Sequence, residues 1–218
     1  MILIFDLDDT LYPEITYVMS GFKAVAAWGE ELFGADKQQS YQTMVKTLET
    51  QGRGKVFDQW LQEVGQPRSL IKHAVKTYRW HAPQIALPDE TVQVLERCKG
   101  FPSFVVTDGH KIVQDRKLTA LGVMHYIKHA YITHRYGIRN AKPSLHCFCL
   151  IKGREKVDWG DLIYIGDNPM KDFVNLNKVG AKTIRLRQGM FKDYKAQAGY
   201  DAQETYDTLT DAVNSILT

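Results

Sequence analysis

Five short runs of apolar residues have the length of β-strands buried on both faces. They lie at residues 2–5, 103–107, 130–133, 162–165 and 183–186. Helical patterns separate the later runs; after the fourth run, Pro169 predicts the first turn of a helix that ends at Gly180. Because strand and helix alternate, we predict an α/β fold with a Rossmann-like parallel sheet covered by helices on both faces.

The connection between the first two predicted strands is nearly a hundred residues long, whereas an ordinary parallel crossover needs about a dozen or somewhat more. Apolar residues recur there at helical spacing in three stripes, which begin at Val18, Val56 and Leu70. We therefore predict an all-helical domain at residues 14–84, inserted into a core formed by residues 1–13 and 85–218. Its place directly after the first strand suggests a lid.

Composition narrows the function classes. The formal net charge is +3, and basic residues form no long run, so we expect no nucleic-acid partner. Three cysteines without a CxxC pair are typical of free thiols in a reducing compartment. The apolar start is too short for a signal peptide, and no apolar run approaches the roughly 20 residues that span a bilayer. We expect a cytoplasmic protein without a membrane partner, and the oligomeric state is unknown.

The residues that follow the predicted strands carry the candidate chemistry, because ligands of parallel sheets bind beyond the carboxyl ends of the strands. These residues are Asp6, Asp8, Asp9, Thr107, Asp108, Lys142, Asp167 and Asp172. Converging carboxylates repel one another unless a cation lies among them, and oxygen ligands favour Mg²⁺. An aspartate can attack a dianionic phosphate only if a metal and a lysine offset the charge, and a second aspartate can protonate the departing alcohol.

Four segments in order resemble the haloacid dehalogenase-like (HAD) hydrolase superfamily. They are residues 6–10 (DLDDT), 106–109 (VTDG), 142–143 (KP) and 166–172 (GDNPMKD). The resemblance covers essentially the whole chain and favours the subfamily with a helical cap after the first motif. It implies a HAD-like catalytic core at residues 1–13 plus 85–218 and a helical cap at residues 14–84.

The resemblance also implies residue roles. Asp6 would be the nucleophile that forms an aspartyl phosphate, and Asp8 the general acid and then base. Thr107, Asp108 and Lys142 would form the phosphate-binding set, although many relatives have asparagine at position 108. The Mg²⁺ ligands would be Asp6, the Asp8 backbone carbonyl and Asp167, with Asp172 in support.

We therefore predict a Mg²⁺-dependent phosphatase acting on a small phosphorylated metabolite, either a sugar phosphate or a nucleoside monophosphate. Asp8 favours phosphoryl transfer, since the dehalogenases of this superfamily lack that second aspartate. The four motifs leave a phosphosugar mutase of the same superfamily open. A non-catalytic protein resembling a phospho-receiver also gathers such side chains, but it would carry its acceptor after a middle strand and would have no helical insert.

Overall fold

A computed structural model describes residues 1–217 of the protein, which form two compact units. The first unit comprises Met1–Glu14 together with the chain from Ala86 onwards. The second unit is the intervening segment Ile15–Ile85. Within the described residues, no helix is long and apolar enough to cross a membrane.

The first unit is built on a sheet of six parallel strands. The strands are β1 (Ile2–Phe5), β2 (Ser103–Thr107), β3 (His129–Ile132), β4 (Leu162–Gly166), β5 (Lys182–Leu186) and β6 (Glu204–Tyr206). Their order across the sheet is β3-β2-β1-β4-β5-β6. The predicted α/β fold with a parallel sheet is confirmed, and the first five strands agree with the apolar runs to within one residue at each end. Strand β6 was not predicted.

The α-helices alternate with these strands or lie in the second unit. They are α1 (Glu14–Phe33), α2 (Lys37–Gln51), α3 (Val56–Glu63), α4 (Ile71–Trp80), α5 (Asp89–Arg97), α6 (Lys111–Ala120), α7 (His146–Glu155), α8 (Val174–Val179) and α9 (Leu209–Leu217). Short 3₁₀ turns join several of them.

The predicted helix start at Pro169 is wrong, because α8 begins only at Val174. The side-chain oxygen of Asn168 accepts the backbone N–H of Met170 at 3.0 Å, and its carbonyl accepts the N–H of Asp172 at 3.0 Å. Asparagine side chains that bond the backbone two residues ahead stabilise turns. The segment after β4 is therefore a turn that delivers Asp172 before the helix begins.

The core of the first unit lies between the sheet and its helices. Ile4, Phe104, Tyr164 and Phe148 are almost fully buried there in one apolar cluster. Burying side chains of this size contributes about 1.5–3 kcal/mol each. The strands that carry the candidate residues are thus packed into a buried apolar core.

The second unit has its own apolar core, built from α1 to α4. Trp60 is completely buried in it, and Phe22, Val25 and Met44 pack in the same cluster. Helices α1 and α4 approach closely at Gly21, where an added Cβ atom would lie 2.4 Å from the ring of Tyr78. This unit is all-helical, as the three apolar stripes predict, and it contains α2 as an additional helix.

Candidate active site

The sheet order brings three candidate strand ends together. Strand β1 lies between β2 and β4, and Phe5 at its end pairs with Val105 and Ile165. The chain runs to β2 and β3 on one side of β1 and to β4 on the other, so this point is a switch in strand order. Ligands of parallel α/β sheets bind at such a point.

Lys142 lies at the centre of the site and is 5% exposed. Its Nζ atom is 2.8 Å from Asp6 Oδ2, 2.9 Å from Asp172 Oδ1 and 2.8 Å from the hydroxyl oxygen of Tyr164. The negative charges of Asp172 and Asp6 outweigh burial and raise the pKa of Lys142 well above its usual value. The lysine is therefore a buried cation in contact with two carboxylates and one hydroxyl.

A surplus of negative charge surrounds this lysine. Carboxylate oxygens of Asp6, Asp167 and Asp172 lie within 4.8 Å of one another, and all three residues are buried. Burial, followed by the charges of Asp6 and Asp172, raises the pKa of Asp167 to about 9. Burial also raises the pKa of Asp6 to about 6, against the opposing charge of Lys142. An all-oxygen cluster with this unbalanced charge fits a hard divalent cation such as Mg²⁺.

Asp172 owes its position to a close approach to the backbone of Gly166. A Cβ atom added at Gly166 would lie 2.6 Å from Asp172 Oδ2, so a larger residue there would displace the carboxylate. The backbone N–H of Asn168 donates to the same oxygen at 3.0 Å. The turn after β4 thus fixes one carboxylate oxygen and leaves the other facing Lys142.

Asp8 lies in a different environment. It accepts hydrogen bonds from the Tyr12 hydroxyl at 2.6 Å, the Lys117 ammonium at 2.7 Å and the Gln114 side-chain amide at 2.8 Å. Burial disfavours its charged form, but the charge of Lys117 and the hydrogen bonds from the three donors together hold the pKa of Asp8 below its usual value. These donors on both oxygens therefore stabilise the ionised form of Asp8 and fix the orientation of its carboxylate.

The end of β2 provides two further side chains. The hydroxyl oxygen of Thr107 accepts a hydrogen bond from the Gln114 amide at 2.7 Å. Asp108 accepts hydrogen bonds from the Thr133 hydroxyl at 2.7 Å, the Lys171 ammonium at 2.8 Å and the Lys142 backbone N–H at 3.1 Å. Lys142 and Lys171 outweigh burial and lower the pKa of Asp108. The extra negative charge at position 108 is thus paired with Lys171.

Comparisons with known proteins decide the family. The family model described as haloacid dehalogenase-like hydrolase matches residues 1–180. The chain belongs to this family. The predicted family membership is confirmed, and the match extends over every candidate residue named above.

Curated relatives of this HAD-like chain include two archaeal proteins named glyceraldehyde 3-phosphate phosphatase. The protein from Methanopyrus kandleri is 27% identical over 215 residues, which cover 93% of this chain and 90% of the relative. The protein from Methanocaldococcus jannaschii is 28% identical over 201 residues, which cover 88% and 86%. Together with the family match, these relatives indicate an enzyme of the phosphatase type, as the sequence predicts.

Solved structures show the same fold. The putative HAD-hydrolase YfnB from Bacillus subtilis, described as bound to magnesium, aligns with a TM-score of 0.67 at 16% identity. The alignment covers 100% of this chain and 98% of that one. A HAD phosphatase from Thermococcus onnurineus aligns with a TM-score of 0.60 at 19% identity, covering 99% and 97%. At these identities the likeness concerns the fold.

Several residues that contact the HAD motifs were not predicted. Gln114 and Lys117 project from α6 onto Asp8, and Tyr164 projects from β4 onto Lys142. The sequence contains one signal for Gln114 and Lys117: they are polar residues three positions apart, on the helix face that also carries the apolar Leu118. Tyr164 gives no such signal, because an aromatic residue in an apolar strand looks like ordinary core.

Proposed function

We propose that this HAD-like hydrolase is a Mg²⁺-dependent phosphatase that acts through an aspartyl phosphate on Asp6. The observation that carries the proposal is the contact of 2.8 Å between Asp6 and the buried Lys142, inside a cluster of acids with surplus negative charge. A carboxylate in this setting can approach a phosphate, because the lysine and a bound cation offset the repulsion.

A small sugar phosphate is the substrate class that we propose. Support comes from the relatives whose names specify glyceraldehyde 3-phosphate, since their alignments extend over most of this chain. That compound is a three-carbon phosphate ester with an alkyl leaving group. We choose it as the first substrate to test, ahead of the nucleoside monophosphates.

Asp6 and Asp167 would bind Mg²⁺ together with the backbone carbonyl of Asp8, and Asp172 would support them. The fit rests on the all-oxygen donor set and on the raised pKa of Asp167, which marks a carboxylate without sufficient countercharge. When bound, Mg²⁺ supplies positive charge that offsets the phosphate dianion and the attacking carboxylate.

In the first step of the proposed reaction, an Asp6 carboxylate oxygen attacks phosphorus. The bond between phosphorus and the ester oxygen breaks, and Asp8 gives its proton to the departing alcohol. Asp8 is ionised in the free protein, but a dianionic phosphate close by raises the pKa of a carboxyl group and favours the protonated form that this step requires. Thr107 and Lys142 would donate hydrogen bonds to the phosphoryl oxygens.

In the second step, a water molecule attacks phosphorus and the bond to Asp6 breaks. Asp8 accepts the proton of this water and regains the protonated form that began the first step. Inorganic phosphate then leaves, and the proton passes to solvent as Asp8 returns to the ionised form of the free protein. The contacts of Asp8 with Lys117 and Gln114 stabilise the ionised form that acts as the base.

The helical unit, Ile15–Ile85, would serve as the cap. It is inserted into the chain shortly after Asp6 and Asp8. A mobile cap can exclude water during phosphorylation of the aspartate and can select the leaving group.

A phosphate-release assay tests the proposal. Purified protein with Mg²⁺ would be given a panel of phosphorylated metabolites that includes glyceraldehyde 3-phosphate. We expect phosphate release that EDTA abolishes and excess Mg²⁺ restores, without any bisphosphate activator. Undiminished release by metal-free protein would contradict the proposed metal dependence, and isomerised phosphosugar without phosphate release would indicate a mutase.

A further inference from the structure

Helix α6 carries two polar side chains on its buried face. Gln114 is 1% exposed and Lys117 is 2% exposed, and their spacing of three residues places them on the same side of the helix. Buried amide and ammonium groups are costly unless they are bonded. Both side chains bond residues to which we assign a role in the reaction: Gln114 bonds Asp8 and Thr107, and Lys117 bonds Asp8.

Gln114 connects two strand ends. Its amide nitrogen donates to the Thr107 hydroxyl at 2.7 Å and to Asp8 Oδ2 at 2.8 Å. Because an ionised carboxylate only accepts hydrogen bonds, the amide nitrogen must be the atom that faces Asp8. The Thr107 hydroxyl oxygen accepts from Gln114, so its own O–H group remains able to donate to another oxygen.

Lys117 fixes the other oxygen of Asp8. Its Nζ atom is 2.7 Å from Asp8 Oδ1 and 3.4 Å from Glu14 Oε1. The Tyr12 hydroxyl donates to the same Asp8 oxygen at 2.6 Å. With donors on both oxygens, the carboxylate of Asp8 has one defined orientation, as an acid acting at a particular atom requires.

We propose that Gln114 and Lys117 are positioning residues for the phosphatase reaction. By donating to the Thr107 hydroxyl oxygen, Gln114 directs the hydroxyl's own O–H group toward the phosphoryl group. Gln114 and Lys117 together hold the Asp8 carboxyl group next to the oxygen of the leaving alcohol. This inference rests on the proposed function, and it adds to that function a buried helix face that couples phosphate binding to protonation of the leaving group.

The coupling has a consequence for substrate preference. An alkyl alcohol is a poor leaving group and needs the proton from Asp8, whereas 4-nitrophenolate leaves readily without it. Displacing Asp8 therefore slows an alkyl phosphate more than an aryl phosphate. A general loss of stability lowers both rates by the same factor.

The test compares Gln114→Met with the wild-type protein on glycerol phosphate and on 4-nitrophenyl phosphate, each with Mg²⁺. General acid catalysis supplies about 10²–10⁴-fold, so we expect a misplaced acid to lower kcat/KM for the alkyl ester, which reports the first step, about tenfold or more. The aryl ester should lose several-fold less, and the ratio of the two rates should fall. Lys117→Met should shift the ratio in the same direction, and Lys117→Arg should recover part of the loss.

Leu118→Ala is the matched control, since Leu118 is a core residue on the same helix. It should lower the melting temperature without changing the ratio of the two rates. Should Gln114→Met fail to fold, Gln114→Leu, which also lacks an amide donor, should lower the ratio as well.

The outcomes separate the two claims. A wild-type protein that hydrolyses neither ester overturns the proposed function and this inference with it. An active wild-type protein whose folded Gln114 variants keep the wild-type rate ratio overturns the positioning role alone. A lowered ratio in the Gln114 and Lys117 variants, with an unchanged ratio in Leu118→Ala, supports it.

Discussion

Two buried lysines contact the two aspartates of the first motif, with opposite results. Lys142 lies 2.8 Å from Asp6, and Lys117 lies 2.7 Å from Asp8. Even so, the pKa of Asp6 is raised to about 6, and that of Asp8 is lowered. Contact with a lysine therefore does not by itself decide in which direction the pKa of a buried carboxyl group moves.

The surroundings of each pair explain the difference. Lys142 is shared with Asp172, and Asp167 adds a third carboxylate close by, so this cluster has more negative than positive charge. Asp8 receives neutral donors, Tyr12 and Gln114, in addition to its lysine. One region thus has surplus negative charge that a bound cation would offset, and the other has an aspartate that accepts hydrogen bonds from the protein on both oxygens.

Replacing Asp6, the proposed nucleophile, should have the largest effect. Asp6→Asn keeps the size of the side chain but removes the attacking carboxylate, so we expect phosphate release to fall at least about 10³-fold. Steady-state phosphate release measures this loss, and Asp193→Asn, at an exposed acid, is the control that should retain wild-type activity. A fully active Asp6→Asn protein would refute the mechanism.

Replacing the other aspartate tests the second region. We expect Asp8→Asn to lower turnover of an alkyl phosphate about 10²-fold or more, because the acid and base are lost. An aryl phosphate should lose less in its first step. Comparison of pre-steady-state bursts with the two esters separates the steps, and equal losses for both esters would argue against Asp8 as the acid.

The surplus charge around Lys142 should appear as a pH dependence of stability. The pKa of Asp167 is about 9 in the folded metal-free protein and near 4 when unfolded. Between these values the folded state holds a proton that the unfolded state has released, so the free energy of unfolding falls as pH rises from about 4 to 9.

Asp167→Asn removes this contribution. In EDTA, the variant should therefore gain stability relative to the wild-type protein as pH rises, while its Mg²⁺-dependent activity is lost. Urea unfolding of both proteins at several pH values measures the difference. Parallel stability curves for the two proteins would show that the cluster carries no surplus charge.

The smallest effect on turnover is expected for Tyr164, whose hydroxyl contacts Lys142. Tyr164→Phe removes the hydroxyl that accepts one N–H group of the lysine at 2.8 Å. A hydrogen bond from a charged donor contributes about 1.5–3 kcal/mol, but Lys142 keeps its contacts with Asp6 and Asp172, so we expect turnover to fall about tenfold, at the low end of that range. Steady-state kinetics of the variant and of the wild-type protein measure this fall in turnover. A loss as large as that of Asp6→Asn would mean that Tyr164 takes part in the chemistry itself.

Apolar runs were sufficient to predict five strands, because strands buried on both faces need continuous apolar sequence. Strand β6 was not predicted, because two of its three residues, Glu-Thr-Tyr, are polar and the strand lies at the edge of the sheet. Helix α2 was not predicted for a similar reason: its buried residues are Ser40, Met44 and Thr47, which form no apolar stripe. Tertiary packing decides such elements.

The candidate site was predictable to the extent that chain position decides it. Asp6 and Asp167 directly follow buried strands, so their meeting at one sheet edge follows from parallel topology. The partners of these residues depend on where side chains point within the fold. That Lys117 contacts Asp8, and Lys171 contacts Asp108, depends on distances that no local pattern encodes.

The covalent intermediate is the central claim, and mass spectrometry of acid-quenched protein tests it most directly. The Asp8→Asn variant, which lacks the base of the second step, would be mixed with Mg²⁺ and 4-nitrophenyl phosphate, quenched and digested. The account predicts a phosphoryl group on the peptide that contains Asp6, at the position of Asp6. Release of nitrophenol with Asp6 unmodified, or a phosphoryl group on a different residue, would contradict it.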